Sequence, residues 1–543
     1  MSHGKCLVLL PLLAATAAAQ LPTVTLTNRA APRATWVAIT TAGTTTPAGT
    51  PPTVPNVNTT FRADSCGAAS NDKLWVFGGS LGNNTSTVTN DLWAFDALAG
   101  TFTQVQAHGT VGAPPARGRH AAAWNPSTSK LVVFGGNTRG ATPTLLNDTW
   151  EYDPSTNTWL NVTPGTSPSP RQFTSLTYDP VLGGMLLFGG QTNDAAPNLN
   201  SNETWLFTGG AWAPLSPATS PAPRGQHSLV TRSDFGDVLL CGGIDNGIAT
   251  PEQIRFLDVW TWNGGNWTKI SDCDVLTNPT GIGATWPGNA NANQAIYDPL
   301  RKRVVMQGGQ GITVATNATY VYGPNFGGSP SNYTSEFDCL TNQWVLYSTG
   351  TGATPWNNSD PQIGRISRYF GGFVASTGKV YKICGQNAAG SSSKPTYNVY
   401  SYQANPIATA TSYGAGCTGP GGALLLTADN LPWTGRTFSA TATGFGPISL
   451  GLGVIGIATQ SLPLPLLLPG VGGVGCDLLN TADVLLTLVP SGGSAQVSLP
   501  ISAGTALAGA SLHFQVAEMQ FDLSFNWIGL YTTNGITIGV GAL

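Results

Sequence analysis

The feature that most constrains this chain is a recurrence. Apolar segments ending in a glycine pair appear as LWVFGG (74–79), LVVFGG (131–136), MLLFGG (185–190), VLLCGG (238–243) and VVMQGG (304–309), and with a single glycine as VYKICGQ (380–386). The first glycines, Gly78, Gly135, Gly189, Gly242, Gly308 and Gly385, lie 57, 54, 53, 66 and 77 residues apart. In the first five repeats the partner glycines are Gly79, Gly136, Gly190, Gly243 and Gly309. After each comes a polar loop and then a second signature: NDLWAFD (90–96), NDTWEYD (147–153), NETWLF (202–207), LDVWTW (257–262), SEFD (335–338) and NVYSY (398–402). Phe102, Trp159, Trp212 and Trp267 add a further aromatic in repeats one to four. A short apolar and polar unit of this kind cannot bury both faces of its sheet alone and must stack on its neighbours.

Composition agrees with an all-β chain. Among 543 residues there are 68 Gly and 39 Pro, too many for helices to dominate. The 16 Trp, 14 Tyr and 19 Phe are core-forming side chains that a disordered tract lacks. Lys and Arg number 23 against 26 Asp and Glu, a net charge of -3, and no basic run offers a surface to neutralise phosphates, which argues against a nucleic-acid partner.

The glycine pair, the variable loop, the Trp-centred strand and the closing aromatic strand together resemble the kelch repeat, whose period of roughly 50 matches the spacing here. The resemblance implies six four-stranded blades around a channel, a β-propeller spanning about residues 34–405. Repeat six runs from Tyr402 into Ala404-Asn405-Pro406 without a closing Trp, whereas Ala34-Thr35-Trp36-Val37-Ala38-Ile39 copies the closing strand. The N-terminal strand is therefore expected to complete the last blade. Repeat five departs from the pattern, with Ser335 where Trp is expected.

Residues 411–543 carry no glycine-pair signature. Strands such as Ala423 to Thr427, Val484 to Val489, Val497 to Ile501 and Ile536 to Val540 between Gly, Pro and Asn read as a β-sandwich. It resembles β-domains appended to secreted bacterial proteins. Cys417 and Cys476, its only cysteines, sit in similar Gly-rich contexts and are expected to form a disulfide. The run from Ile448 to Gly475 is broken by Pro463, Pro465 and Pro469 and reads as strands and loops, with no transmembrane segment. Residues 1–19, with Lys5, an apolar run and Ala17-Ala18-Ala19, read as a signal peptide, so the mature chain is expected to be secreted, periplasmic or at the cell surface. The pairing of Cys66, Cys241, Cys273, Cys339 and Cys384 stays open, except that no bridge is expected between Cys273 and Cys339.

Arg62, Arg119, Arg171, Arg224 and Arg368 lie 16 to 18 residues before their glycines. By the kelch resemblance the loops there form the ligand mouth, so this set is either a ring of guanidinium groups for a carboxylate or polyhydroxylated ligand, or a repeat feature bracing one blade against the next. Loops 80–89, 137–146 and 191–201 are rich in Asn, Thr and Gly, and Trp286 and Trp356 lie in polar, Gly- and Asn-containing surroundings. Neutral amides beside indoles suit sugar rings, while both tryptophans could equally fold over the rim. Catalysis is weakly supported. His120 and His227 occupy matching repeat positions, Glu203 and Asp258 fall in the Trp signature and are expected to bind backbone, and no metal or cofactor set emerges. Asn-x-Thr sequons at Asn147 and Asn202 belong to the same signature. The expected function is a binding or surface-interaction module for a glycan or protein ligand, the alternative being a carbohydrate-active enzyme of the sugar-epimerase or, at lower weight, the galactose-oxidase kind.

Overall fold

The computed structural model describes residues 27–29, 34–38, 62–64, 66–70, 72–81, 87–140, 142–193, 199–245, 254–256, 258–271, 294–307, 334–347, 366–367, 370–383, 386–389, 392–395, 399–404, 406–503 and 505–542. Six antiparallel four-stranded units follow one another. Blade one contains Cys66–Ala69, Lys73–Leu81, Val88–Asp96 and Thr101–Gln106, and blade two Ala121–Asn125, Lys130–Asn137, Leu145–Asp153 and Thr158–Asn161. Blade three contains Ser175–Asp179, Gly184–Phe188, Thr204–Thr208 and Ala211–Leu215, and blade four Ser228–Arg232, Asp237–Cys241, Val259–Trp262 and Trp267–Ser271. Blade five is Ile296–Asp298, Arg303–Gln307, Thr334–Asp338 and Gln343–Tyr347. In blade six, Phe370–Val374, Lys379–Ile383 and Val399–Ala404 are joined by Ala34–Ala38, antiparallel with Ala34 opposite Ala404 and Ala38 opposite Tyr400. The preceding Thr27–Arg29 pairs parallel with the outer strand of blade five.

Each second strand is a continuous apolar run because it is sandwiched between neighbouring blades: Leu131 to Phe134, Met185 to Phe188 and Val238 to Cys241 are all essentially inaccessible. The closing aromatics fill the wedge between blades. Trp212 packs against both Phe134 of blade two and Phe207 of its own blade, and Trp267 against both Phe188 and Trp262. Blade five has its closing Trp after all, Trp344, packed on Phe337, and Ser335 stands fully buried in the third strand. That blade uses charge in place of the repeat's usual parts: Arg301 and Arg303 both pair with the wholly buried Glu336.

The C-terminal unit is two sheets around one core. One sheet joins Thr409–Tyr413, Gly535–Gly539, Ser511–Phe521, Ser449–Gly456 and Val484–Leu488, with Trp527–Thr532 also on Ser511–Phe521, and the other joins Leu425–Ala428, Thr437–Thr443 and Ser494–Pro500. Phe438, Val497, Phe514 and Ile538 lie in the shared core. The proline-broken run forms two strands and the one-turn helix Leu464–Leu467, and no helix of the described residues is long and apolar enough to cross a membrane. Cys417 and Cys476 are disulfide-bonded. This unit docks on blade five: Trp433 donates its indole N–H to the Leu300 carbonyl at 2.7 Å, and Arg436 meets both carboxylate oxygens of Asp338 at 2.6 and 2.7 Å. The turns at Leu300 and Asp338 lie on the face opposite the glycine pairs.

Candidate functional site

The arginines divide into two kinds. Arg117, Arg171 and Arg224 are wholly buried, and each does the same three things. The Nε donates to a carbonyl two residues back, on Pro115, Ser169 and Ala222. One Nη donates to the carbonyl of the first glycine of the pair, on Gly135, Gly189 and Gly242 at 2.9, 3.0 and 3.1 Å. The guanidinium also grips the acid of the third strand, Asp148, Glu203 and Asp258, at 2.6 Å in each case. The same acids accept the indole N–H of the tryptophan two residues on, Trp150, Trp205 and Trp260. This explains why an acid precedes the Trp in the signature: Glu203 and Asp258 hold an arginine and an indole, not backbone as expected.

The peptide carbonyls of these same arginines tie blade to blade. Gly79, Gly136 and Gly190 donate their N–H groups to the carbonyls of Arg117, Arg171 and Arg224 in the following blade, all at 2.9 Å. A Cβ on Gly78, Gly135 or Gly189 would stand 2.8, 2.8 or 2.6 Å from those oxygens, at φ of +59°, +64° and +63°. Glycine is required there by both contact and backbone conformation.

Of the two readings of the arginine set, the ligand ring is corrected at Arg171 and Arg224, which take the bracing role. Arg171 and Arg224 are buried supports, with no face toward a ligand, and the support in blade two is Arg117, a residue the spacing argument passed over. Of Arg62 only the backbone is described, paired opposite Leu81. Arg368, Trp286, Trp356, Gly308, Gly309, Gly385, Cys273 and Cys384 lie outside the described residues.

Arg119 belongs to a different set. Two residues after each support position stand Asp64, Arg119, Phe173 and Gln226, in four consecutive blades, with φ of +54°, +58°, +56° and +55°. A left-handed conformation is uncommon for non-glycine residues and costs of order 1 kcal/mol or more for a bulky one. Their backbones form a chain across the blades: Arg119 N–H donates to the Asp64 carbonyl, Phe173 N–H to that of Arg119 and Gln226 N–H to that of Phe173, at 2.9, 2.9 and 3.0 Å. Together with Cys66, Ser175 and Ser228 of the innermost strands, and Gln294 just before that of blade five, they line a cavity of about 130 Å³ at the glycine-pair end of the channel.

The chemistry of this mouth is mixed and close to neutral. The Arg119 guanidinium lies 4.6 Å from the centre of the Phe173 ring, donates to Gln172 Oε1 at 3.1 Å and has its Nε 3.6 Å from an Asp64 carboxylate oxygen. Gln172 in turn donates to Gln191 Oε1 at 3.2 Å, which extends a band of amides from the channel to the loops. Below the innermost residues the channel continues as a cavity of about 380 Å³ whose wall is mostly uncharged, small residues such as Ala68, Ala122 and Gly371 alternating with Trp124, Tyr178 and Tyr297.

Three groups at this mouth are poorly suited to acid, base or nucleophilic work. Burial, reinforced by the Asp64 carboxylate, pushes the Cys66 thiol up to about 12. Burial and the cationic Arg117 and Arg224 hold the His120 and His227 imidazoles down to about 3. Each ring stands edge-on to an aromatic of the preceding blade, Phe77 or Phe188. Among the described residues no group of three or more His, Cys, Asp and Glu could hold a metal ion.

The wider comparisons fit this architecture. Residues 65–281 match the family model described as the KLHDC2/KLHL20/DRC7 Kelch-repeats domain. Over 121 residues the chain is 38% identical to dynein regulatory complex subunit 7 of Chlamydomonas reinhardtii, a match that covers 22% of this chain and 10% of that protein. The chain thus spans about a tenth of the length of that relative. A solved structure titled "Structure of YjhT" is similar at a TM-score of 0.42 and 16% identity, covering 62% of this chain and 93% of that one. Together the repeat signatures and the family match define a kelch-repeat β-propeller, the class of binding and protein-interaction modules. The protein is a kelch-repeat β-propeller protein that carries a C-terminal β-domain.

Proposed function

We propose that this chain is an exported binding protein whose ligand, a neutral glycan, sits at the mouth ringed by Asp64, Arg119, Phe173 and Gln226. One observation carries the reading: four consecutive blades hold a non-glycine residue in a left-handed conformation at the same register, and all four line one cavity. Backbone strain repeated at one place in a fold is a mark of function. Support for a sugar comes from the character of the mouth, where the Arg119 charge is met by Asp64, the Phe173 ring is at hand and Gln226, Gln294, Ser175 and Ser228 offer uncharged hydrogen-bonding groups. Hydroxyls suit such donors and acceptors better than a lone carboxylate would. Support for export comes from residues 1–19 and from the disulfide between Cys417 and Cys476, a bond that persists in oxidising compartments.

The test is a glycan array with the mature chain, followed by titration of any hit against Arg119→Ala, Phe173→Ala and Arg224→Ala. Arg119→Ala and Phe173→Ala are expected to weaken binding at least about tenfold, since each removes a charge-assisted bond or a stacking face; Phe173→Ala should leave the melting temperature nearly unchanged, and Arg119→Ala, which uncovers the buried Asp64 from a looser 3.6 Å contact, should lower it less than Arg224→Ala does. Arg224→Ala is expected to lose stability and keep binding. Binding unaffected by the first two variants would remove the mouth as the site. The N-terminal residue of the chain purified from its native host reads out export, with Gln20 expected first.

A further inference from the structure

The C-terminal unit has a surface that water alone does not account for. Residues 408–543 contain one Arg, no Lys and five acids. Arg436 is committed to Asp338 of the propeller and Glu518 is buried, so Asp429, Asp477, Asp483 and Asp522 are what remains of its charge. A domain surface ordinarily devotes about a quarter or more of its residues to charged side chains. Large apolar side chains stand exposed in their place.

One edge of the larger sheet has none of the usual protection. The strand Val484–Leu488 pairs on one side with Ser449–Gly456, and among the described residues no strand pairs with its other side. Val484 is 49% exposed, Leu485 54% and Val489 81%. From Val484 to Val489 there is no charge and no proline, and the register against Ser449–Gly456 runs without a bulge. Edges left in water are normally blunted by one of these devices, because a row of free N–H and C=O groups is a template for another strand. A lipid surface does not fit such an edge, since its backbone groups would enter hydrocarbon unpaired.

We propose that this edge pairs with the same edge of a second copy, antiparallel about a two-fold axis, joining the two sheets into one. The charge pattern selects this occupant. A two-fold axis sets the residue it passes through against itself, a place where a charged side chain would meet its like, and Val484–Val489 carries no charge. With Leu486 on the axis, Leu485 meets Thr487 of the other copy, and Asp483 of one copy falls at the Val489 end of the other, away from its own counterpart. An acidic foreign strand finds no complement here, the one cation of the unit being engaged elsewhere. Self-pairing also satisfies every outward backbone group with an identical edge, as an isologous contact requires. Both mouths of such a dimer remain available, because the C-terminal units dock on the propeller face opposite the glycine pairs.

The test is the solution mass of the full mature chain by light scattering across a concentration series. The wild type is expected at twice the monomer mass at tens of micromolar. Leu485→Lys with Thr487→Lys, which sets like charges across the axis, is expected to raise the dissociation constant at least about thirtyfold with little change in melting temperature. The pair Leu485→Glu with Thr487→Glu is expected to be monomeric too, and an equimolar mixture of the Lys and Glu forms to recover the dimer mass, a rescue that misfolded variants cannot give. A wild type that stays monomeric over the whole series overturns the proposal. So does a dimer indifferent to both double variants, or a monomer that instead sediments with neutral phosphatidylcholine vesicles.

Discussion

Arg224 and Arg171 make the same contacts but should not matter equally. Asp258 is 5% exposed at its side chain and Glu203 52%. Removing Arg224 leaves Asp258 a buried carboxylate with only an indole donor beside it, at a cost of about 3 to 5 kcal/mol. Removing Arg171 leaves Glu203 free to hydrate. Arg224→Ala is therefore expected to lose clearly more stability than Arg171→Ala in denaturant titration, and equal losses would mean that the carboxylates are not what sets the cost. The histidines give a pH dependence of definite sign. Both are held to about 3 in the fold, below the ordinary value near 6.5, so the unfolded chain binds protons that the folded one refuses. Stability should be full above about 6.5 and fall as pH drops toward 3, by up to about 1.4 kcal/mol per unit for each histidine. Thr174 occupies the matching place in blade three, where a Cβ on Gly190 would meet it as a Cβ on Gly136 or Gly243 would meet His120 or His227. His120→Thr with His227→Thr should flatten the melting temperature between pH 6.5 and 4, and an unchanged slope would locate the acid sensitivity elsewhere.

Among the strands, the two N-terminal ones have the largest leverage for their length. Ala34–Ala38 completes blade six and Thr27–Arg29 lies on blade five, so one short segment spans the seam where the ring closes. Beneath it the Arg301, Arg303 and Glu336 cluster, with the Tyr402 hydroxyl donating to Glu336 at 2.8 Å, couples the same two blades. A chain beginning at Thr41 leaves both outer edges unpaired and is expected to unfold at lower temperature and to aggregate, measured by light scattering on heating. Full-length behaviour from that chain would show that closure is dispensable. Burial alone would raise Glu336, yet Arg301 and Arg303 bring it down to about 2. A depressed carboxylate contributes stability above its unfolded value near 4.5 and loses it as pH falls through 2, so this seam should outlast the histidine-linked losses on acidification.

Taken whole, the molecule is two cores joined by a small contact. Trp433 and Arg436 supply its main directed bonds to the propeller. Trp433→Ala with Arg436→Ala is expected to split thermal unfolding into two calorimetric transitions without altering ligand binding at the mouth, and a single unchanged transition would assign the coupling to the linker. The blade count, the closing strand, the C-terminal β-unit and the pairing of Cys417 with Cys476 could all be read from residue order. They rest on local patterns: a crowded left-handed turn that only a glycine pair tolerates, an apolar strand of blade length, two cysteines in one small unit. The mouth could not be read that way. Counting back from the glycines grouped Arg119 with Arg171 and Arg224, because the first hairpin of blade one is two residues shorter than its counterparts and blurs the register. Counting forward along Arg62-Ala63-Asp64, Arg117-Gly118-Arg119, Arg171-Gln172-Phe173 and Arg224-Gly225-Gln226 would have separated the supports from the ring. Even so, which arginine is buried against a carboxylate and which faces the channel depends on side chains more than thirty residues apart. Their positions are set by how blades stack about the axis, a long-range outcome that no local pattern carries.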